Sequence, residues 1–200
     1  MKNQIREPQQ ERSIEKKNKI IQAGYELFSE VGYHGTNTVE IAKRAGVSTG
    51  IVYGYFQDKR DIMICVLQMY LDSVYAPVLQ EVMNSNAPFD FETLVPKIVA
   101  DTIAMHEKHE KLHNTLHSLA TTDEAVNAKF IAMEDEITRS ISEKLAESGL
   151  NIEGVKEKVH LAMNIVQSFA HEYVFDKHPY IDYAAMRDTV CKTIINLFAE

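Results

Sequence analysis

The chain has 200 residues, of which 45% are hydrophobic and 25% are charged, with eight glycines and five prolines. This composition excludes collagen-like, low-complexity and wholly disordered chains, and the length is sufficient for one or two compact domains with a buried core. The formal net charge is −8, but residues 1–60 carry a net charge of +3 and the rest of the chain carries −11. Because only the contacting surface must be basic, the front of the chain can still bind nucleic acid.

Neither a membrane segment nor a disulfide framework is evident. No apolar run approaches the roughly 20 residues that a membrane-spanning helix needs, and the polar residues 1–19 lack the apolar region of a secretory signal. The two cysteines, Cys65 and Cys191, lie far apart and form no CxxC pattern. We therefore expect a soluble, cytoplasmic protein with reduced cysteines, no cofactor and no membrane partner.

Apolar residues recur at helical spacing along the chain, and alternation of strand length is absent, so we predict an all-α protein of about nine helices. Six of the eight glycines lie between Gly24 and Gly54, which indicates short helices and tight turns at the front and long helices behind. Asn37 and Glu40 have the spacing of a capping box, and Pro77 is expected to end the fourth helix. The predicted helices span about 15–31, 37–44, 49–56, 59–75, 92–105, 110–119, 123–147, 152–175 and 183–198.

The segment TVEIAKRAGVSTGIVYGYFQ, residues 38–57, has the pattern of a helix-turn-helix. Ala42 is small where two helices cross, and Gly46 lies in the turn, where a positive φ is cheap only for glycine. The core between the two helices is expected to contain Ile41, Ala45, Val47, Val52 and Tyr55. Such a unit inserts its second helix into the major groove of DNA. An ordinary helical hairpin is the alternative, but it would not need small residues at both positions.

Residues 14–62 resemble the DNA-binding domain of the TetR family of transcriptional repressors. The resemblance lies in GYHGTNTVEIAKRAGVS, residues 32–48, and TGIVYGYFQDKRDI, residues 49–62. The second stretch contains the family's Tyr-x-Tyr/His-Phe-x-x-Lys pattern at Tyr53, Tyr55, Phe56 and Lys59. The rest of the chain resembles the family only in length and helical character. The resemblance implies a flexible basic and polar tail over 1–13, a helix-turn-helix domain over 14–60, and an effector-binding and dimerisation domain over 61–200.

The resemblance also implies which residues contact DNA. The expected phosphate contacts are Thr38, Ser48, Tyr53, Tyr55 and Lys59, and the expected base contacts are Thr49 and Gly50. Two positions depart from the family: Thr49 stands where lysine is frequent, and Gly54 where an aromatic residue or histidine is frequent. Binding is then expected to depend more on Arg44 and Lys43 and on the basic residues near the start of the chain. The latter are Arg12, Lys16, Lys17 and Lys19, and for these four a solvated charged face is the alternative.

For the remaining helices, the resemblance implies a homodimer and a pocket for a small-molecule effector. The last two long helices would pair with those of a second copy, although their apolar stripes can also form internal core. The expected interface residues are Val159, Val166, Phe169, Tyr173, Met186, Val190, Ile194 and Leu197. The expected pocket residues are Met63, Leu67, Tyr70, Met105, His113, Leu116, His117, Met133, Met163 and Gln167. The predicted function is a repressor, not an enzyme, that a small molecule releases from a palindromic double-stranded DNA operator.

A competing motif lies at residues 109–113, where HEKLH matches the H-E-x-x-H pattern of zinc peptidases. A third ligand would have to be Glu134 or Glu136 on another helix, and no strand is available to hold a peptide. A metal-sensing regulator is a further alternative, because four imidazoles would share one face of a continuous helix. These are His106, His109, His113 and His117. Solvent-facing or singly hydrogen-bonded histidines are the simpler interpretation, and His113 and His117 could also bind an anionic or aromatic effector.

Overall fold

The computed structural model describes residues 11–85 and 87–199, and within them it contains nine helices and no strand. This confirms the predicted all-α architecture. The helices are α1 Glu11–Val31, α2 Thr38–Ala45, α3 Thr49–Tyr55, α4 Lys59–Asn84, α5 Phe91–Lys108, α6 Glu110–Ala120, α7 Glu124–Glu147, α8 Val155–Phe175 and α9 Tyr183–Phe198.

The largest differences from the predicted helix boundaries are in α1 and α4. Helix α1 begins at Glu11, so residues 11–13 of the predicted tail are helical, and residues 1–10 of that tail lie outside the described residues. Helix α4 continues past Pro77 to Asn84. A proline inside a helix costs about 3 kcal/mol. The buried side chains of Val74 and Val82, on either side of the proline, offset this cost through the apolar surface that they remove from water.

The chain divides into two compact units, which do not coincide with the predicted domains. The first contains the described residues up to Tyr70 together with His109–Lys129. The second contains Leu71–Lys108 and the described residues from Phe130 onward. Helix α6 packs against α1 and therefore belongs to the first unit, although the sequence prediction assigned it to the domain that follows residue 60.

The first unit has a core that brings α1, α2, α3 and the start of α4 together. A side chain at Gly24 would place its Cβ 2.7 Å from the Cγ2 atom of Ile62, so the glycine allows α1 and α4 to approach closely. The fully or almost fully buried apolar residues of this core include Ile20, Phe28, Ile41, Ala42, Val52, Ile62 and Val66. This packing holds α2 and α3 in place on α1.

The second unit has its main core between α5, α8 and α9. Five of the residues expected at the dimer interface are buried within their own chain, and their place in a dimer stays a prediction: Val159, Val166, Phe169, Val190 and Ile194. The apolar stripes of α8 and α9 are wide enough to bury one side against α5. The other three expected residues, Tyr173, Met186 and Leu197, are partly buried against the same core.

Helix α4 is long and apolar enough to span a membrane by length and composition, with a mean hydropathy of 1.6 over its most apolar window. This differs from the expectation that no apolar run approaches that length. Core helices pass the same test, and α4 contributes Ile62, Met63, Val66 and Leu67 to a protein core. Internal packing therefore accounts for its composition.

Candidate nucleic-acid interface and effector cavity

The connection between α2 and α3 has the local geometry of a helix-turn-helix. The side chain of Asn37 accepts hydrogen bonds from the backbone N–H groups of Val39 and Glu40, and the Glu40 carboxylate accepts from the N–H of Asn37. The predicted capping box is thus confirmed. Gly46 ends α2 with φ +67°, and Ser48 caps α3 by accepting a hydrogen bond from the N–H of Ile51. The turn is therefore defined by one left-handed glycine and one side-chain cap.

Helix α3 buries one side and exposes the other. Val52 is completely buried, whereas Gly50, Tyr53 and Gly54 are exposed and Thr49 is half-buried. The helix contains no cationic side chain. Its exposed surface is thus small and uncharged, and base reading would depend on hydroxyl groups and on close approach of the backbone at the glycines.

Two of the predicted phosphate contacts lie side by side. The hydroxyl oxygens of Thr38, at the start of α2, and Tyr53, on α3, are 3.0 Å apart and share a hydrogen bond. Both groups lie at the exposed edge of the helix-turn-helix head (α1–α3), next to the first turn of α2. The structure brings these residues together as one polar patch.

Tyr55 differs from Tyr53 in its surroundings. Its hydroxyl lies 2.7 Å from the Oγ atom of Ser13 in the first turn of α1, and the two groups share a partly buried hydrogen bond. The ammonium group of Lys17 lies 6.0 Å from the centre of the Phe56 ring. The basic first turns of α1 therefore adjoin the end of α3, a neighbourhood that the sequence did not reveal.

Lys59 makes its hydrogen bonds inside the first unit. Its Nζ atom donates to the backbone carbonyl oxygens of Tyr33 at 2.6 Å and Thr36 at 2.8 Å, and lies 4.2 Å from the centre of the Tyr33 ring. Burial lowers the pKa of Lys59. In this arrangement the lysine holds the connection between α1 and α2 against the start of α4, and a phosphate contact from it stays a prediction.

Arg44, another expected DNA contact, pairs with acidic residues of α1. Its guanidinium donates two hydrogen bonds to the Glu30 carboxylate, at 2.8 and 2.9 Å, and one to Glu26 at 3.3 Å. These carboxylates raise the pKa of Arg44 further above its usual value. The charge of Arg44 is thus balanced locally, although its side chain is exposed, like those of Arg12, Lys16 and Lys43.

The histidines of the HEKLH segment face tyrosines of the first unit. His109 Nδ1 lies 2.8 Å from the Tyr25 hydroxyl, and His113 Nδ1 lies 2.6 Å from the Tyr70 hydroxyl. Both imidazoles are buried. The segment therefore helps to pack α6 against α1 and α4.

The four imidazoles do not share one helical face, because α5 ends at Lys108 and α6 begins at Glu110. His106 belongs to the second unit, where its Nδ1 hydrogen-bonds the carbonyl oxygen of Thr102, and His117 is exposed. Within the described residues, no three histidine, cysteine, aspartate or glutamate side chains are grouped to hold a metal ion. The geometry gives no support to the metal-sensor and zinc-hydrolase alternatives.

A cavity of about 110 Å³ lies within the second unit. Its wall is formed by side chains of α4, α5, α7, α8 and α9 and by Phe89, which precedes α5. Two of the ten predicted pocket residues, Met163 and Gln167, line it. The rest of the wall consists of Tyr75, Val78, Val82, Phe89, Phe91, Leu94, Val95, Ile98, Thr102, Ile137, Ile141, Leu145, Val159, Ala162, Val166, Ile194 and Phe198.

The other eight predicted pocket residues lie elsewhere. Most of them are buried in the first unit, where their apolar or hydrogen-bonded side chains form its core: Met63, Leu67, Tyr70, His113 and Leu116. His117 is exposed, and Met105 and Met133 are half-buried outside this cavity wall. The sequence prediction missed most of the cavity wall, which consists mainly of branched and aromatic side chains from helices distant in sequence.

Comparison with known proteins finds a family model that matches the head. Residues 20–65 match the family model described as bacterial regulatory proteins, tetR family. The HTH-type transcriptional regulator HbdR of Aromatoleum sp. (strain CIB) is 38% identical over 76 residues, which are 38% of this chain and 33% of that protein. Over this segment the chain is similar to regulators of the TetR family.

The TetR-family likeness extends beyond the head in fold. The uncharacterized HTH-type transcriptional regulator YuxN of Bacillus subtilis (strain 168) is 26% identical over 148 residues, 74% of this chain and 49% of that protein. These matches therefore span only about a third to a half of the curated relatives' length. A structure assigned to the family, from Mesorhizobium loti MAFF303099, superposes with a TM-score of 0.76 at 20% identity, over 94% of this chain and 97% of that one. At that identity the superposition shows a shared fold.

Proposed function

We propose that the chain is a ligand-responsive transcriptional regulator that acts in the cytoplasm, binding a palindromic DNA operator as a homodimer. The observation that carries the proposal is the geometry of the head. Helix α3 projects Gly50 and Tyr53 outward from a rigid support, and the turn before it is held by Gly46 and Ser48. A short exposed helix fixed in this way is suited to the major groove.

Contacts to DNA divide into positioning and base reading. The hydroxyl groups of Thr38 and Tyr53 and the cap residue Ser48 contact phosphates along the groove edge. Thr49 and Gly50, at the N-terminal end of α3, read the bases, since a threonine methyl group packs on thymine and a glycine lets the backbone approach closely. Tyr55 and Lys59 support the head from within, because their polar atoms bond to Ser13 and to backbone carbonyls.

A second copy completes the DNA-binding unit. One helix-turn-helix head makes a small interface, so specific binding requires two heads on two half-sites. The outward side of α8 carries Leu161, whose side chain is 48% exposed. This side, rather than the residues that α8 buries within its own chain, forms the contact between the two copies.

The regulator is a repressor whose effector binds in the cavity of the second unit. The dimer exchanges between a form whose heads fit two half-sites and a form whose heads do not. An effector that binds the second form more tightly lowers the affinity for DNA. The largest decrease that it can produce equals the ratio of its affinities for the two forms.

Selection of bound sequences from random double-stranded DNA tests the proposal. We expect a palindromic consensus whose half-site centres lie roughly 34–36 Å apart, one turn of the duplex. Thr49→Ala is expected to change the preferred base at one position in each half-site, whereas the matched change Thr193→Ala in α9 leaves the consensus unaltered. Absence of any enriched sequence would contradict the proposed function. A uniform loss of affinity with Thr49→Ala would assign this residue to phosphate binding instead.

A further inference from the structure

The cavity in the second unit has a wall without ionisable cations or carboxylates. Of its nineteen lining residues, only Tyr75, Thr102 and Gln167 carry polar side-chain atoms. The hydroxyl of Thr102 donates to the carbonyl oxygen of Ile98 at 2.8 Å, so its proton is already used within α5. The side-chain groups that can donate a hydrogen bond to a ligand are therefore the phenol of Tyr75 and the carboxamide of Gln167.

These two groups make no hydrogen bond with any other described residue, although both line the cavity. Tyr75 is only 8% exposed. Polar groups that line a pocket without a protein partner can hydrogen-bond a ligand there. A hydroxyl and a carboxamide that line the same apolar cavity thus provide both hydrogen-bond donors and acceptors for a bound molecule.

The electrostatic surroundings favour a neutral molecule. Burial and the nearby charge of Glu134 raise the pKa of Tyr75, so the phenol keeps its proton and acts as a donor. An anionic ligand would meet no lysine, arginine or histidine on the cavity wall and would approach the negative charge of Glu134. A cationic ligand would lose its hydration without gaining a carboxylate on the wall.

We infer that this cavity binds an uncharged, mainly apolar ligand that carries one hydroxyl or carbonyl group, and that Tyr75 and Gln167 bind that group. The inference deepens the proposed function by naming the chemical class of the effector. In size, a dry apolar cavity of about 150 Å³ holds a benzene ring, and this cavity of about 110 Å³ is comparable. A ring-sized group fits with little adjustment, and a longer molecule requires the surrounding helices to part.

Matched one-ring probes test the inference on the full chain in the absence of DNA. Toluene, benzyl alcohol, benzoate and benzylammonium are titrated at about pH 7, where the last two are ions, and dissociation constants are measured by calorimetry. We expect toluene and benzyl alcohol to bind, and both ions to bind at least about tenfold more weakly, because a buried charge without a partner is costly. Benzoate binding as tight as that of benzyl alcohol would overturn the inference, as would absence of binding by both neutral probes.

Two variants assign the binding to the cavity and to its polar groups. Tyr75→Phe and Gln167→Met are each expected to weaken benzyl alcohol binding about three- to tenfold, the value of one hydrogen bond, and to leave toluene binding unchanged. The matched control Tyr180→Phe removes a hydroxyl from a residue that is 79% exposed and changes neither constant. Because toluene reports an intact cavity, a loss of both ligands in Tyr75→Phe would indicate misfolding, and Gln167→Met then decides. An unchanged ratio of benzyl alcohol to toluene affinity in both variants would overturn the role of these residues.

Failure of this inference can be distinguished from failure of the proposed function. Probe binding is measured without DNA, and DNA selection is carried out without probes. A palindromic consensus together with a cavity that prefers ions would support the proposed regulator and contradict the neutral effector. Neutral probe binding without any DNA consensus would support the neutral ligand and contradict the proposed regulator.

Discussion

At the scale of single residues, the head shows how two similar tyrosines acquire different surroundings. Tyr53 and Tyr55 lie two positions apart on α3 and therefore point in different directions around the helix. The Tyr53 hydroxyl shares a hydrogen bond with that of Thr38 at the exposed edge, whereas the Tyr55 hydroxyl shares one with the hydroxyl of Ser13 in α1. The family pattern identifies both tyrosines but not their partners, because Ser13 is 42 positions away from Tyr55 in the chain.

The contact between Ser13 and Tyr55 predicts coupled effects on DNA binding. Tyr55→Phe and Ser13→Ala are each expected to weaken operator binding about three- to tenfold, because each frees the basic first turns of α1 from the end of α3. The double variant should be no weaker than either single variant, since one hydrogen bond is lost in every case. Fluorescence anisotropy with the selected operator measures the cycle.

The control for this cycle is Tyr53→Phe, whose hydroxyl pairs with Thr38 rather than with Ser13. Its effect should add to that of Ser13→Ala, because the two changes share no partner. If Tyr55 contacts a phosphate directly, Tyr55→Phe will weaken binding further in the Ser13→Ala background, and the positioning role is then wrong.

At the scale of elements, the angle between α2 and α3 depends on a single backbone conformation. Gly46 has φ +67°, and no atom lies within 4 Å of the place where its Cβ would be. A side chain there would meet conformational strain but no steric clash. Gly54, inside α3, also has open space around it and has no positive φ. Replacing each glycine by alanine therefore tests the same substitution at a position with a positive φ and at a position inside a helix without one.

Gly46→Ala is expected to lower the free energy of unfolding by about 1–2 kcal/mol, the cost of a left-handed conformation for a residue with a Cβ. Gly54→Ala is expected to raise it by up to about 1 kcal/mol, because alanine favours the helix over glycine. Urea denaturation followed by circular dichroism measures both. Equal effects of the two substitutions, in sign and size, would show that the left-handed turn does not govern the stability of the head.

Helix α6 illustrates the limit of motif reading at this scale. A spacing of four residues places His109 and His113 on one side of a helix, and this holds equally for zinc ligands and for packing residues. The neighbouring helix decides between them, and here the neighbours supply Tyr25 and Tyr70. No feature inside the five-residue motif carries that information.

At the scale of the whole molecule, the proposed homodimer depends on a side of α8 that the single chain leaves exposed. Leu161→Glu is expected to dissociate the dimer and to abolish binding to the palindromic operator, because a carboxylate would then be buried against the second copy. The matched control is Ile131→Glu on α7, since Ile131 is 49% exposed and Leu161 is 48% exposed. Sedimentation velocity measures the mass of each variant.

The two variants separate an interface from a general effect of surface charge. Ile131→Glu should stay dimeric and bind the operator normally. If both variants remain dimers, the second copy does not pack on the Leu161 side of α8, and the interface lies elsewhere. If both become monomers, added charge alone dissociates the dimer.

Local information in the sequence was sufficient for the helices, for the capping box at Asn37 and for the left-handed turn at Gly46, because each depends on residues within a few positions of one another. The head was recognisable for the same reason, since its pattern is compact. Tertiary structure alone decided the partner of Tyr55, the burial of Val166 and Phe169 within their own chain, and the wall of the cavity. An apolar stripe indicates that one side of a helix will be buried. Which element buries it depends on helices that are distant in sequence.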